Sequence, residues 1–143
     1  MFCNVNPDLP KIPENLIDPL DKIELMENAF PDKDYFHTYA SYIAPPELKK
    51  YLQLMFDYPI MVRYQVIKKD MEVHTDLGSD TFKLNYLLNL GGEHVITRWW
   101  NGTQIIHEQQ LNTRTWYSLN VKIPHDVVNL TSTRISIVVR PSK

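Results

Sequence analysis

The sequence predicts a mainly β fold, eight short strands arranged as a jelly roll, with an N-terminal arm and one helix packed on it. Three observations predict it. From Ile60 onward, short runs rich in Tyr, Val, Ile, Thr and Trp alternate with polar breaks, the composition of pleated, half-buried surfaces. The breaks carry turn chemistry: Asp70, Gly78-Ser79-Asp80, Gly91-Gly92, Asn101-Gly102, Asn112 and Thr131-Ser132. Most prolines, by contrast, crowd the first part of the chain. Pro7, Pro10, Pro13, Pro19, Pro31, Pro45 and Pro46 each restrict φ and disfavour helix at the preceding residue.

In chain order, the first forty-odd residues read as an irregular, wrapping arm. A helix starts at Pro45-Pro46, because proline suits the first turn, and runs from Glu47 to Phe56. Leu48, Leu52 and Met55 share one side of it, and Pro59 ends it. The strands follow as Met61–Lys68, Glu72–Thr75, Phe82–Leu90, His94–Trp100, Thr103–Glu108, Trp116–Val121, Asp126–Leu130 and Arg134–Arg140. Asn101-Gly102 is the strongest two-residue hairpin signal. Length alone does not separate a jelly roll from an immunoglobulin-like sandwich; chemistry decides.

At 143 residues the chain suits a single domain, 1–143, with arm and helix over 1–59 and the β core over 60–143. Hydrophobic and charged fractions of 43% and 22% are those of an ordinary soluble protein. A net charge of -2 gives no general attraction to phosphate backbones or anionic lipids, so there is no nucleic-acid signal. Apolar stretches such as Ile135 to Val139 fall far short of the about 20 residues needed to span a bilayer. Cys3 is the only cysteine, which excludes an intrachain disulfide and a cysteine-only metal site. With no basic start or apolar run at the N-terminus, the expected setting is the cytoplasm.

His74-Thr75-Asp76 sets an imidazole and a carboxylate two residues apart, and the period of a strand sends both to one face. Iron(II) oxygenases use two histidines and one carboxylate on one face of an octahedron. A third ligand must then come from a distant strand. Of His94, His107 and His125, only His125 sits just before a short strand followed by an arginine-bearing one. A turn at Thr131-Ser132 would return Arg134 antiparallel beside His125. There a guanidinium can hold the far carboxylate of 2-oxoglutarate while the keto-acid end chelates iron. Ser136, on the same face, can hydrogen-bond that carboxylate.

These residues resemble the Fe(II)/2-oxoglutarate-dependent oxygenase superfamily, whose pattern is His-x-Asp, a distal His, then Arg-x-Ser. The resemblance covers roughly Met61 to Pro141, and the arm looks like that of small phage-encoded members, which would place the protein in a host cytoplasm. It implies a double-stranded β-helix holding Fe(II) through His74, Asp76 and His125, with 2-oxoglutarate and O2 as cosubstrates and ascorbate admitted. The expected reaction hydroxylates a peptide or protein side chain or a small metabolite and releases succinate and CO2. Tyr64, ten positions before His74, looks like the tyrosine that binds the cosubstrate carboxylate in prolyl-hydroxylase-like relatives. Asn85, which shares a face with Leu87 and Asn89, is a further cosubstrate contact, and Gly91-Gly92-Glu93 resembles a turn of the relatives.

Other residues take structural assignments. Arg140 shares the alternation of Arg134 and stays open as the alternative anchor. His37, His94 and His107 read as ordinary histidines, Asp80, Glu93 and Asp126 as turn or solvated residues, and Trp99, Trp100 and Trp116 as packing. Two competing functions remain: a catalytically silent jelly-roll protein that binds a metal or ligand, and a cupin-like metal enzyme that does not use 2-oxoglutarate. The intact ligand set argues against the first and Arg134-x-Ser136 against the second.

Overall fold

The computed structural model describes residues 2–24, 39–76, 78 and 80–142. Its strands are β1 (Cys3–Val5), β2 (Tyr39–Ile43), β3 (Ile60–Ile67), β4 (Met71–His74), β5 (Phe82–Asn89), β6 (Ile96–Asn101), β7 (Gln104–Gln109), β8 (Trp116–Asn120), β9 (His125–Val128) and β10 (Arg134–Pro141). A 3-10 turn at Glu14–Leu16 and helices α1 (Leu20–Ile23) and α2 (Pro46–Gln53) complete the described elements. Each of the eight strands expected from β3 onward is present, with ends shifted by a few residues.

The strands form two antiparallel sheets, ordered β1-β8-β5-β10-β3-β2 and β4-β9-β6-β7. From β3 to β10 the chain passes back and forth between them, and only the β6–β7 hairpin stays within one sheet. That hairpin is pinned by Asn101 opposite Gln104, so its loop is Gly102-Thr103, one residue later than expected. Gly102 takes φ +60, the left-handed conformation that glycine enters without a Cβ penalty.

Period-two alternation divides the six-stranded sheet into two apolar faces. Tyr64, Val66, Tyr86, Trp116, Ile135 and Ile137 pack outward against Ile12, Ile23, Leu48 and Leu52 of the N-terminal segment and its helices. Leu87, Tyr117 and Leu119 turn the other way, against Trp99 of the second sheet. The indole N–H of Trp99 donates to the Asn120 carbonyl at 2.9 Å, fastening the sheets together across that core.

The first part of the chain is more regular than its prolines suggest. β1 pairs with β8 and β2 with β3, so both are edge strands recruited by tertiary pairing. α2 ends at Gln53, three residues before the expected Phe56. There the Gln53 amide donates to the Tyr58 carbonyl at 2.8 Å and accepts from the Ile60 N–H at 3.0 Å, turning the chain into β3. Among the described residues no helix is long and apolar enough to cross a membrane.

One turn sets the start of β10. The Gly91 carbonyl accepts from the N–H groups of Thr131 and Ser132 at 2.8 and 2.9 Å. Gly91 has φ +92, and a Cβ there would lie 3.1 Å from the Arg134 Cβ. Only glycine lets this turn lie flat against the backbone that carries Arg134.

Candidate metal centre

The structure brings His74, Asp76 and His125 together: one ligand atom from each lies within 4.8 Å of the others. His74 ends β4 and sits opposite His125, the first residue of β9, in antiparallel register. Their ring centroids are 4.5 Å apart. β4 stops at His74, so Asp76 is not placed by continued strand alternation as expected. Instead its N–H donates to the Val121 carbonyl at 2.9 Å, and the Lys122 ammonium donates to its carbonyl at 2.9 Å. The end of β8, in the other sheet, thus holds the carboxylate-bearing loop over the two imidazoles.

The imidazoles are oriented by backbone. His74 Nδ1 lies 2.7 Å from the Glu72 carbonyl and His125 Nδ1 2.8 Å from the Ile123 carbonyl. A carbonyl only accepts, so each Nδ1 carries the proton and each Nε2 offers a lone pair. Both lone pairs face the same carboxylate oxygen: Asp76 Oδ1 is 3.5 Å from His74 Nε2 and 3.3 Å from His125 Nε2. Three lone-pair donors converging at such distances repel one another unless a proton or a metal cation lies among them. Two imidazoles and a carboxylate are a donor set for Zn(II), Fe(II) and similar ions.

Charge around Asp76 is dense. Its second oxygen, Oδ2, accepts from Arg140 and lies 3.8 Å from the Lys83 ammonium. Burial alone would raise its pKa, but Lys83, His125, His74 and Arg140 outweigh that and hold it far below the usual carboxylate range. For His74, burial opposes the charged form, yet the Asp76 hydrogen bond, the Glu72 carbonyl and the Asp76 charge together lift its pKa above the ordinary 6.5. A metal must displace that proton. Divalent-ion affinity is therefore expected to climb up to about tenfold per pH unit as pH rises toward and past 6.5, then level off. Mn(II) titrations at several pH values would measure it, and a flat profile would remove His74 from the ligand set.

Beside the triad, between the sheets, lies a cavity of about 450 Å³ counted to its open mouth. His74, His125, Lys83, Asn85, Thr97 and Arg134 supply polar groups to its wall, and Ile67, Met71, Trp99, Leu119 and Val127 supply apolar ones. Arg134 is 4% exposed and donates from Nη2 to Thr97 Oγ1 at 3.3 Å. Among the described residues, nothing accepts from its Nη1 and no carboxylate lies within ion-pair distance of it. Burial lowers its pKa to about 10. Asn85 Oδ1 is likewise buried with no donor facing it among the described residues. A buried guanidinium without an anion costs free energy, and a carboxylate-bearing ligand in the cavity would accept from Arg134 Nη1, whereas Asn85 Oδ1 calls for a donor.

Four expectations need correction. Arg134 does not lie antiparallel beside His125, because β10 and β9 belong to different sheets; it pairs with Ile67 and reaches the cavity from the opposite wall. Ser136 is engaged elsewhere: its hydroxyl accepts from Asn85 Nδ2 at 3.2 Å and donates to Gln65 Oε1 at 3.4 Å. It steadies Asn85 and does not line the cavity. Tyr64 is on the outward face of the sheet, where its hydroxyl accepts from the Asp18 N–H at 3.1 Å and donates to Asp18 Oδ2 at 3.2 Å. Tyr64→Phe should therefore cost about 1 kcal/mol in chemical denaturation and leave ligand affinity unchanged. Asp126 is no solvated turn residue: it is 4% exposed and holds Arg98 through bonds of 2.9 and 2.6 Å.

Of the remaining histidines, His107 stacks on Phe2 with centroids 5.1 Å apart, and the His94 carbonyl accepts from Asn129. Neither joins the triad; His37 lies outside the described residues. Arg140, the alternative anchor, is committed to Asp76. Lys83 was missed by sequence reasoning, although period two places it on the face of Asn85 and Leu87, the same face from which a cosubstrate contact was expected. No protein-family model matches the chain and no curated protein is significantly similar to it, so geometry and donor chemistry are what speak for its function.

Proposed function

We propose that this protein is an Fe(II)- and 2-oxoglutarate-dependent oxygenase on a double-stranded β-helix formed by β3 to β10, with the described residues before β3 packed on its outside. The reading is supported above all by one arrangement: His74 Nε2, His125 Nε2 and Asp76 Oδ1 converge at the edge of a cavity that also holds the guanidinium of Arg134, which has no carboxylate partner among the described residues. The alternation of β3 to β10 between two antiparallel sheets supports the fold assignment.

In this reading His74, Asp76 and His125 hold the iron, and their carbonyl-bonded Nδ1 atoms keep both rings aimed. Arg134 takes the far carboxylate of 2-oxoglutarate by charge-assisted hydrogen bonds, with Thr97 fixing its fork. Asn85, whose Nδ2 donates to Ser136, lines the same cavity and has its second Nδ2 hydrogen to offer to the ligand. Trp99, Ile67 and Val127 keep water from the bound keto acid. When bound, Fe(II) with 2-oxoglutarate and O2 supplies the oxidising power: one substrate C–H becomes C–OH as 2-oxoglutarate leaves as succinate and CO2. The oxidised substrate is a peptide or protein side chain or a small metabolite.

The test is Fe(II)-dependent succinate formation from 2-oxoglutarate, followed by NMR, with and without candidate substrates. The wild type should produce succinate slowly even without substrate, and His74→Ala should abolish it. A second reading, a metal-free ligand-binding barrel, draws on one observation: Arg140 and Lys83 already compensate the Asp76 charge. A wild-type protein that neither binds a divalent ion nor forms succinate would favour it.

A further inference from the structure

We propose that Lys83 makes the binding of the divalent ion and of the organic anion interdependent, by serving as a mobile cation shared between Asp76 and a carboxylate of the anion. The inference rests on the metal-centre reading above and adds to it a residue that the sequence motif does not contain.

Lys83 is 8% exposed and on the cavity-facing side of β5, with its ammonium 3.8 Å from Asp76 Oδ2. It also lines an adjoining recess together with Gln65 and Arg140, so it forms part of the wall between two spaces. Its electrostatic neighbours are Asp76, which favours its charge, and Arg140 and Arg134, which oppose it. Three cations thus gather around one carboxylate that lies within ion-pair distance of two of them, among the described residues. A divalent ion at the triad adds two positive charges to the same neighbourhood. Like charges in a buried site repel strongly, and a dicarboxylate restores the balance.

The three cations differ in freedom. Arg140 is bonded to Asp76 and Arg134 to Thr97, each through Nη2 of a planar guanidinium. Lys83 carries a compact ammonium on a four-carbon stem that can swing. Its contact with Asp76 is the longest of that carboxylate's ion pairs. When an ion is held by Asp76, Lys83 is the cation best able to turn from it to the entering anion. Ion binding without the anion is weakened by Lys83, and the anion removes that penalty. Linkage then requires the ion to strengthen anion binding by the same factor.

The experiment measures the Kd of Mn(II) by electron paramagnetic resonance, alone and with saturating 2-oxoglutarate, in the wild type, Lys83→Met and Lys83→Gln. In the wild type, 2-oxoglutarate should tighten Mn(II) binding within the roughly 5- to 150-fold usual for coupled sites. In both variants Mn(II) alone should bind about tenfold more tightly, and the enhancement by 2-oxoglutarate should shrink by about the same factor. Unchanged Mn(II) affinity and unchanged enhancement in a folded variant would overturn the role of Lys83 and leave the metal centre standing. Failure of both variants to fold, judged by circular dichroism, would overturn it by making Lys83 structural. A wild type that does not bind Mn(II) would overturn both readings together.

Discussion

Asp76→Ala is expected to remove divalent-ion binding and to destabilise the fold by about 3–5 kcal/mol, the usual cost of taking one partner from a buried ion pair. Lys83 and Arg140 would both lose the carboxylate that compensates them. The sign of the pH dependence follows from the shifts. Asp76 is depressed, so its contribution is present above its unfolded value of 3.8 and lost as pH falls below it. The His74 contribution is present below 6.5 and lost as pH rises through its raised folded value. Urea unfolding should therefore show the largest difference between wild type and variant from 3.8 to 6.5, narrowing in stronger acid. His74→Ala makes the contrast: its side chain is 33% exposed, so ion binding should vanish at a stability cost of only about 1 kcal/mol. Wild-type ion affinity in Asp76→Ala would sink the metal centre.

Arg134→Met is expected to separate binding from stability in the opposite direction. Loss of a charge-assisted contact should weaken 2-oxoglutarate binding by about 1.5–3 kcal/mol, roughly 10- to 150-fold. The folded protein should nonetheless hold its stability or gain about 1–4 kcal/mol, because an apolar side chain replaces a buried guanidinium that no carboxylate among the described residues compensates. Calorimetric titration with 2-oxoglutarate and thermal unfolding of the same preparation measure both effects. Lower thermal stability with unchanged affinity would mean that Arg134 is a structural cation and that the anion binds elsewhere.

The strands from β3 onward were legible because their signals are local: β-branched and aromatic runs closed by glycine, asparagine and aspartate turns. β1 and β2 were not, since three and five residues acquire strand character only through pairing with β8 and β3. The convergence of His74, Asp76 and His125 could be anticipated from spacing and order, yet the cause of Asp76's position could not. It comes from a backbone bond to Val121, forty-five residues away in sequence. Tyr64 failed for a different reason. Spacing along the chain says nothing about which face of a sheet a residue takes, and Asp18, in the arm, claims its hydroxyl. Arg134 was placed in the right cavity through the wrong neighbour, because a strand order is a property of the whole chain.

Arg140 bears on how the proposed centre would hold an ion. By donating to Oδ2 it favours Oδ1 as the oxygen Asp76 would offer, so an ion seated there would meet one donor atom from each of the three residues. A six-coordinate ion seated there would keep half of its coordination sphere for small molecules, whereas a four-coordinate one would keep a single place. Metals that tolerate octahedral surroundings are thus the ones this pocket can equip with both a bidentate acid and a further ligand.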